Sequence, residues 1–143
     1  MKKLTGILFL GLLAAAVPAR AASVDLHGQS TVAHCSQRAL SGHWAFRAEG
    51  TGPFGPFAVV GLQTFDRDGG LDAVEMLSAG GVTVPSHLHG TYTVGEDCTG
   101  TMTTTFDNGM SGTMYFVVAA GGDQIYALET DPGVMLTVTF TRQ

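Results

Sequence analysis

Two histidines, His87 and His89, have the spacing in this sequence that best suits a chemical site. In an extended chain, residues two apart point to the same side, so both imidazoles could bind one zinc or copper ion. An oxygen ligand could come from acidic residues expected at the same rim, Asp107, Glu129 and Asp131. The alternative is a pair of outward-facing surface histidines, because Thr91 and Thr93 continue the same face. The sequence therefore predicts a metal site at His87 and His89 if a third ligand joins them.

Catalytic residues are not evident from any pattern in the chain. The sequence shows no nucleophile beside a base, no paired carboxylates and no phosphate-binding glycine loop, so neither catalytic residues nor a cofactor are predicted. Glu75 alternates with Val74 and Met76 and is expected to face solvent, as is Arg47 on the first strand. A one-residue shift of register would instead make Glu75 a buried acid. Together with an inward Arg47, it would then suit proton transfer in a cyclase-type pocket.

Large apolar side chains recur at strand spacing, and an eight-stranded barrel can either fill with them or hold one small ligand. The residues expected inside are Trp44, Phe46, Met76, Tyr92, Met102, Phe106, Met114, Phe116, Leu136 and Phe140. The expected contacts of an apolar ligand are Trp44, Phe54, Tyr92, Met114 and Phe116. Phe54 lies in the repeat Gly52–Phe57, which would form either a lid over the cavity or a rigid connector capping the sheet end.

From residue 41 the chain alternates short β-prone runs with Gly- and Asn-containing turns and shows no helical periodicity. Eight strands are predicted, at His43–Glu49, Phe57–Phe65, Leu71–Leu77, Leu88–Val94, Thr101–Phe106, Thr113–Ala119, Gln124–Thr130 and Val134–Thr141. Closing sequential hairpins into an up-and-down barrel removes the two edges that a flat sheet would expose. The sequence therefore predicts one all-β domain over residues 41–143, with a two-sheet sandwich as the alternative.

The ends of this barrel follow from its connections, which alternate between two sides. The two longest predicted loops, Gly50–Pro56 and Ser78–His87, share one end, which we call the mouth. The opposite end, the floor, receives both Cys35 and Cys98, which are expected to form a disulfide in an oxidising compartment. This bond would stabilise the fold by roughly 4 kcal/mol. It would pin the N-terminal segment, residues 22–40, across the floor.

The first residues of the chain resemble an export signal. Lys2 and Lys3 precede an apolar run, Ile7–Val17, and the small-residue pattern Ala19–Ala21 follows it. We therefore predict a signal peptide over residues 1–21 and a periplasmic or secreted mature protein. The apolar run is shorter than the roughly 20 residues that span a bilayer, so no stable membrane anchor is expected after cleavage.

Charge limits the partners of the mature chain. Removal of the signal leaves four basic residues against twelve acidic ones, a formal charge of −8. The four are Arg38, Arg47, Arg67 and Arg142. Such a chain lacks the basic surface that supplies most nucleic-acid affinity and would be repelled by anionic lipid. Nucleic acid is therefore not an expected partner, whereas a small apolar ligand is; the oligomeric state is left open.

Several short motifs carry a resemblance to known proteins. The stretch Gly90–Val94, followed by Asp97–Thr101 and preceded by Phe65-Asp66 and Gly69-Gly70, resembles small exported bacterial proteins of uncharacterised role. These are similar to the lipocalin-like or allene-oxide-cyclase-like barrels, a class that includes ligand carriers and isomerases. Gly42–Trp44 is similar to the Gly-x-Trp of the first lipocalin strand. The resemblance implies a barrel fold and transfers no catalytic residues.

Three functions are consistent with these patterns. The first is a non-enzymatic exported barrel that holds a small apolar molecule inside. The second is a cyclase or isomerase, which would need an ionisable side chain such as Glu75, Arg47 or His89 to face inward. The third is a filled barrel that acts as a structural or partner-binding module through its threonine-rich outer face.

Overall fold

The computed structural model describes residues 35–143, which form a closed barrel of eight antiparallel strands. The strands are β1 (Gly42–Gly52), β2 (Gly55–Phe65), β3 (Gly70–Ala79), β4 (Val82–Val94), β5 (Thr99–Phe106), β6 (Ser111–Ala119), β7 (Gln124–Glu129) and β8 (Met135–Arg142). A short helix, α1 (Gln37–Leu40), precedes them, and a 3₁₀ turn, Ala120–Gly122, links β6 to β7. Each strand pairs with the next, and β8 pairs with β1. The predicted up-and-down barrel is confirmed, and the sandwich alternative is wrong.

Part of the predicted organisation lies outside the described residues. This applies to the predicted signal peptide, residues 1–21, and to most of the predicted floor segment, residues 22–40. Within residues 35–143, no helix has the length and apolar character needed to cross a bilayer.

The strands form because apolar and hydroxyl side chains alternate along them. In β8, Val138 and Phe140 are buried while Thr137 and Thr141 lie on the outer face. Glycine appears on the inner face where an aromatic ring crosses a strand. A Cβ at Gly61 would lie 2.6 Å from Cζ of Phe46, a distance too short for any side chain. Such glycines let rings lie flat on the wall and let the strands curve into a barrel.

The floor is closed by the segment that begins at Cys35. The predicted disulfide between Cys35 and Cys98 is confirmed, with the two Cα atoms 5.0 Å apart. Leu40, the last residue of α1, is buried, and its carbonyl accepts a hydrogen bond of 2.9 Å from Nε1 of Trp44. The guanidinium of Arg142 lies 4.4 Å from the centre of the Trp44 ring and donates to the carbonyl of Ala39 at 2.6 Å. The N-terminal segment is therefore tied to both the first and the last strand.

The mouth differs from its prediction, because the two expected long loops are mostly strand. β1 and β2 are joined across Pro53 and Phe54, and β3 and β4 across Gly80 and Gly81. Pro85 is tolerated in β4 because β5 ends at Phe106, opposite Leu88, and leaves the earlier part of β4 unpaired on that side. The carbonyl of His87 points to that side, where it accepts a hydrogen bond from Asp107 N. Pro85 lies two residues earlier in the strand, so its nitrogen, which carries no hydrogen, faces the same unpaired side.

The facing of β3 is the second difference from the predictions. Leu71 and Ala73 are buried, and this parity places Glu75 inside and Met76 outside. Met76 is 43% exposed, so its expected interior position is wrong. The apolar outer residue Val74 pairs with Leu62 of β2, and Met76 pairs with Val60. These outward-facing residues are apolar because they pack against each other across the strands, so the sequence alone favours placing them in the interior.

Candidate functional site

Aromatic side chains pack the floor half of the barrel interior. The ring of Phe65 lies 4.7 Å from that of Tyr92, 6.0 Å from Trp44 and 6.1 Å from Phe140, centre to centre. All four residues are almost completely buried. Towards the mouth the inward-facing residues become half-buried, namely Phe57, Glu75, Leu77, Ser86, Phe106 and Leu136. The lumen is therefore packed at the floor, and its side chains become less buried towards the mouth.

Two of the expected ligand contacts, Trp44 and Tyr92, belong to the packed half. Trp44 Nε1 donates to the Leu40 carbonyl. The Tyr92 hydroxyl donates to the carbonyl of Asp66 at 2.5 Å, and the carbonyl of Gln37 lies 3.0 Å from it. Burial, with a smaller contribution from the charge of Asp66, raises the pKa of Tyr92 to about 12. The indole N–H of Trp44 and the hydroxyl of Tyr92 therefore hold the floor segment in place. Their position in the packed floor half does not support direct contact with a ligand.

The other three expected contacts occupy different places. Phe116 is fully buried, with its ring over Gly100 on the inner wall. Met114 is buried and paired with Glu129 of β7, on the mouth side of Phe116. Phe54 is 88% exposed at the tip of the β1–β2 turn and does not reach the lumen in this structure. The structure brings Met114 and Phe116 together on one wall and leaves Phe54 apart.

A strip of polar side chains lines the lumen wall formed by β2, β3 and β4. Its members are Gln63, Glu75 and Ser86, and we call it the polar strip. In the register, Gln63 lies opposite Ala73, Gly61 lies opposite Glu75, and Glu75 lies opposite Ser86. The strip therefore runs from a buried amide to a half-buried carboxyl and hydroxyl nearer the mouth.

Gln63 is the deepest member of the polar strip and is 3% exposed. Its Nε2 is buried and has no hydrogen-bond partner among the described residues. The residues opposite it are Trp44 on β1 and Ala73 on β3. Trp44 offers no acceptor and Ala73 has no polar side chain, so neither directly paired residue satisfies the amide.

Glu75 was expected to face solvent, and that prediction is wrong. Its side chain lies on the inner face, where burial raises the pKa of the carboxyl above its usual value and a hydrogen bond with Ser86 partly opposes the rise. The inward position follows from the burial of Leu71 and Ala73, which sets the parity of the whole strand. Arg47, in contrast, lies on the outer face as expected.

A second carboxyl, that of Glu129, lies at the rim of the opposite wall. Glu129 accepts a hydrogen bond of 2.8 Å from the backbone N–H of Thr113, and its carboxylate covers Gly112. Burial raises the pKa of Glu129, and the Thr113 N–H partly offsets this rise. The mouth half thus contains two acidic groups whose neutral forms are favoured relative to free glutamate.

The two histidines lie on the outer wall. Nε2 of His87 is 3.0 Å from Asp72 and its Nδ1 is 3.2 Å from Asp107, while His89 is exposed. The hydrogen bond with Asp107 is the main cause of a raised pKa at His87. Among residues 35–143, no three His, Cys, Asp or Glu side chains converge as a metal site requires. A metal site at His87 and His89 therefore stays a prediction without structural support.

A groove of about 340 Å³ lies along the outside of β6, β7 and β8. Its wall is mainly apolar and includes Tyr115, Val117, Tyr126, Leu128, Thr137 and Thr139. The groove is separated from the lumen by the barrel wall itself, because these side chains alternate with the buried ones.

Comparison with known proteins supports the fold. No protein-family model and no curated protein matches the chain. A redesigned β-barrel, mFAP1, bound to DFHBI, matches with a TM-score of 0.59 and 20% identity over 75% of this chain and 98% of that one. A de novo designed fluorescence-activating β-barrel matches with a TM-score of 0.57 and 15% identity over 75% and 96% of the two chains.

The likeness is one of fold. Both neighbours are β-barrels, and their low identity to this chain carries no residue roles. The predicted eight-stranded barrel fold is supported, while membership of the lipocalin-like or allene-oxide-cyclase-like class and the resemblance to exported bacterial proteins stay predictions.

Two members of the polar strip, Gln63 and Ser86, were not among the predicted site residues. A signal for Gln63 was present, because it lies two residues before Phe65 and shares its facing in a strand. Ser86 had no such signal, because it fell inside a predicted loop.

Proposed function

We propose that this protein binds one small, largely apolar molecule in the mouth half of its barrel. The observation that carries the proposal is the inward-facing Glu75, a half-buried carboxyl in the part of the lumen where the side chains are less buried. Ligand pockets commonly combine apolar walls with a few polar groups that orient the ligand. Here Leu77, Phe106 and Leu136 would supply the apolar contacts, and the polar strip would orient the molecule.

A purely structural barrel gives no reason for this arrangement. Burying a polar group without a full set of partners costs free energy, and an apolar residue at Gln63 or Glu75 would fill the wall without that cost. The floor half, with its packed aromatic rings, already provides the stable core. The polar strip therefore suggests selection for something other than stability.

The solved neighbours add general support. Two of them, mFAP1 and EF1p2_mFAP2b, are bound to the small molecule DFHBI. An eight-stranded barrel is wide enough for one such ligand. These facts support small-molecule binding by a barrel of this kind and leave the ligand of this chain to experiment.

A blocking substitution tests the proposal. Ser86→Phe places a large side chain in the mouth half, whereas His89→Phe on the same strand adds the same ring to the outer wall. We expect the apolar dye 1-N-phenylnaphthylamine to fluoresce with the wild type and with His89→Phe, but not with Ser86→Phe. Equal binding by all three, or no binding by the wild type, would contradict a site in the lumen.

Native mass spectrometry would then identify the natural ligand. The protein would be purified from its own host without denaturation or organic solvent. We expect an added mass that disappears after organic extraction and is reduced in Ser86→Phe. A bare mass in the wild type, combined with a failure to bind the dye, would favour a filled barrel.

An isomerase or cyclase is a second candidate, and the inward Glu75 is the observation that favours it. A carboxyl whose pKa is raised by burial exchanges a proton at a pH closer to neutral than a free glutamate does. Glu75→Gln keeps the shape and removes this capacity, so conversion of the bound molecule should stop while binding persists. Glu49→Gln, on the outer face of β1, is the matched control. Unchanged conversion in Glu75→Gln would assign the residue to binding alone.

We also propose that the protein is exported to the periplasm or the medium. The Cys35–Cys98 disulfide supports an oxidising compartment. Fractionation of the host cells, with mass determination of the N-terminus, tests this. A cytoplasmic protein that retains residues 1–21 would contradict it.

A further inference from the structure

We infer that the ligand of the mouth half is a neutral carbonyl compound whose oxygen accepts a hydrogen bond from Nε2 of Gln63. This inference rests on the proposed function and specifies the chemistry of the ligand. Its basis is the donor group of Gln63, which is buried, faces the lumen and has no partner among residues 35–143. A primary amide offers two N–H donors, and leaving them unsatisfied in a buried place is costly.

The residues directly beside Gln63 offer its amide no side-chain acceptor. Trp44 lies opposite on β1, and its side-chain nitrogen already donates to Leu40. Ala73 lies opposite on β3, and along β2 the next inward residues are Gly61 and Phe65. None of these side chains carries an acceptor. A ligand oxygen that reaches Gln63 would therefore meet an amide that these four residues do not satisfy.

Glu75 is the diagonal neighbour of Gln63 on the lumen face. Its carboxyl forms a hydrogen bond with Ser86 on β4, and no hydrogen bond joins it to the Gln63 amide nitrogen. The N–H groups of Gln63 are therefore the donors that a ligand would meet on this wall. They select a carbonyl oxygen and disfavour a cationic amine, which would approach them with like polarity.

The surrounding surface suits the apolar part of such a molecule. Between β2 and β3, the residues paired with Gln63 and Glu75 are small, namely Ala73 and Gly61. The ring of Phe46 covers Gly61, and Leu88 lies beside Ala73. An aryl or conjugated carbonyl compound could therefore place its oxygen at Gln63 and its hydrocarbon body towards the mouth.

Two probes of the same shape test the inference. They are 2-acetylnaphthalene, which carries a carbonyl oxygen, and 2-isopropenylnaphthalene, in which a CH₂ group replaces that oxygen. The chain has one tryptophan, Trp44, and quenching of its emission reports binding of either probe. We expect the ketone to bind the wild type about tenfold more tightly than the alkene. Gln63→Leu should abolish this preference by weakening ketone binding, whereas the outer-face control Thr91→Val should preserve it.

Infrared spectroscopy of the bound ketone gives a second measurement that needs no variant. A hydrogen bond from Gln63 should lower the carbonyl stretching frequency below its value in an alkane solvent. Equal affinity of the two probes for the wild type, with an unshifted carbonyl band, would overturn the inference and leave the proposed function intact. If neither probe binds the wild type, the proposed function and the inference both fail.

Discussion

Loss of the Cys35–Cys98 disulfide is expected to destabilise the protein strongly while leaving the native barrel unchanged. The two cysteines are 63 residues apart in sequence, so the bond restricts a long loop of the unfolded chain. The chain-entropy relation for a loop of this length gives a stabilisation of about 4 kcal/mol at 25 °C. For a domain of this size the corresponding fall in melting temperature is roughly 15 °C. The barrel strands keep their own pairing, so most of the effect should arise in the unfolded state.

The double variant Cys35→Ser, Cys98→Ser tests this by urea denaturation beside the oxidised and the reduced wild type. Trp44 reports on the floor, because it is buried and bonded to α1 through Leu40. The emission wavelength of Trp44 should stay unchanged below the unfolding transition. The urea midpoint should fall in the double variant and in the reduced wild type. A loss of less than about 1 kcal/mol would refute the entropic account. A large loss with red-shifted Trp44 emission would instead show that the bond holds the floor segment in place.

Three further predictions concern the lumen and the floor. The pKa of Glu75 is raised in the folded state, so the folded protein binds more protons than the unfolded chain. The contribution of Glu75 to stability is therefore present at acidic pH and is lost as pH rises through the folded pKa. Urea midpoints between pH 4 and 8 should therefore depend less on pH in Glu75→Gln than in the wild type or Glu49→Gln, and parallel curves would argue against a buried carboxyl. Gln63→Leu should raise the stability of the ligand-free protein by about 1 kcal/mol, since it removes an unsatisfied donor, and a clear loss of stability by thermal denaturation would count against this. Arg142→Met should lower the free energy of unfolding by about 1–3 kcal/mol and red-shift Trp44 emission, because Arg142 loses its hydrogen bonds to floor carbonyls and its contact with the indole. An unchanged Trp44 spectrum would disprove that Arg142 holds the floor against Trp44.

The division of the lumen lets one small barrel combine a tightly packed floor with a mouth half that could carry the proposed site. Aromatic packing around Phe65 and the disulfide both act at the floor. The mouth half can then carry polar groups that contribute little to folding. Substitutions in the polar strip should therefore alter binding more than they alter the fold.

Much of this architecture could be predicted from local patterns. The alternation of apolar residues with threonines predicted the strands, and glycine and asparagine turns predicted that neighbouring strands are antiparallel. The parity of the connections brought Cys35 and Cys98 to one end. These predictions hold because they depend on side-chain spacing along one strand and on the alternation of direction in a meander.

The composition of the site depended on the tertiary structure. In Val74-Glu75-Met76 the local pattern favours two apolar residues inside, yet the pairing of β3 with β2 and β4 places Glu75 there. The same pairing extends β4 to Val82, converts a predicted loop into strand and brings Ser86 onto the lumen wall. The inward parity of a strand is set by which register buries the most surface across its neighbours, and that quantity exists only once the barrel has closed. The sequence by itself therefore determined the strands, the turns and the disulfide, whereas the closed barrel decided which side chains face the lumen.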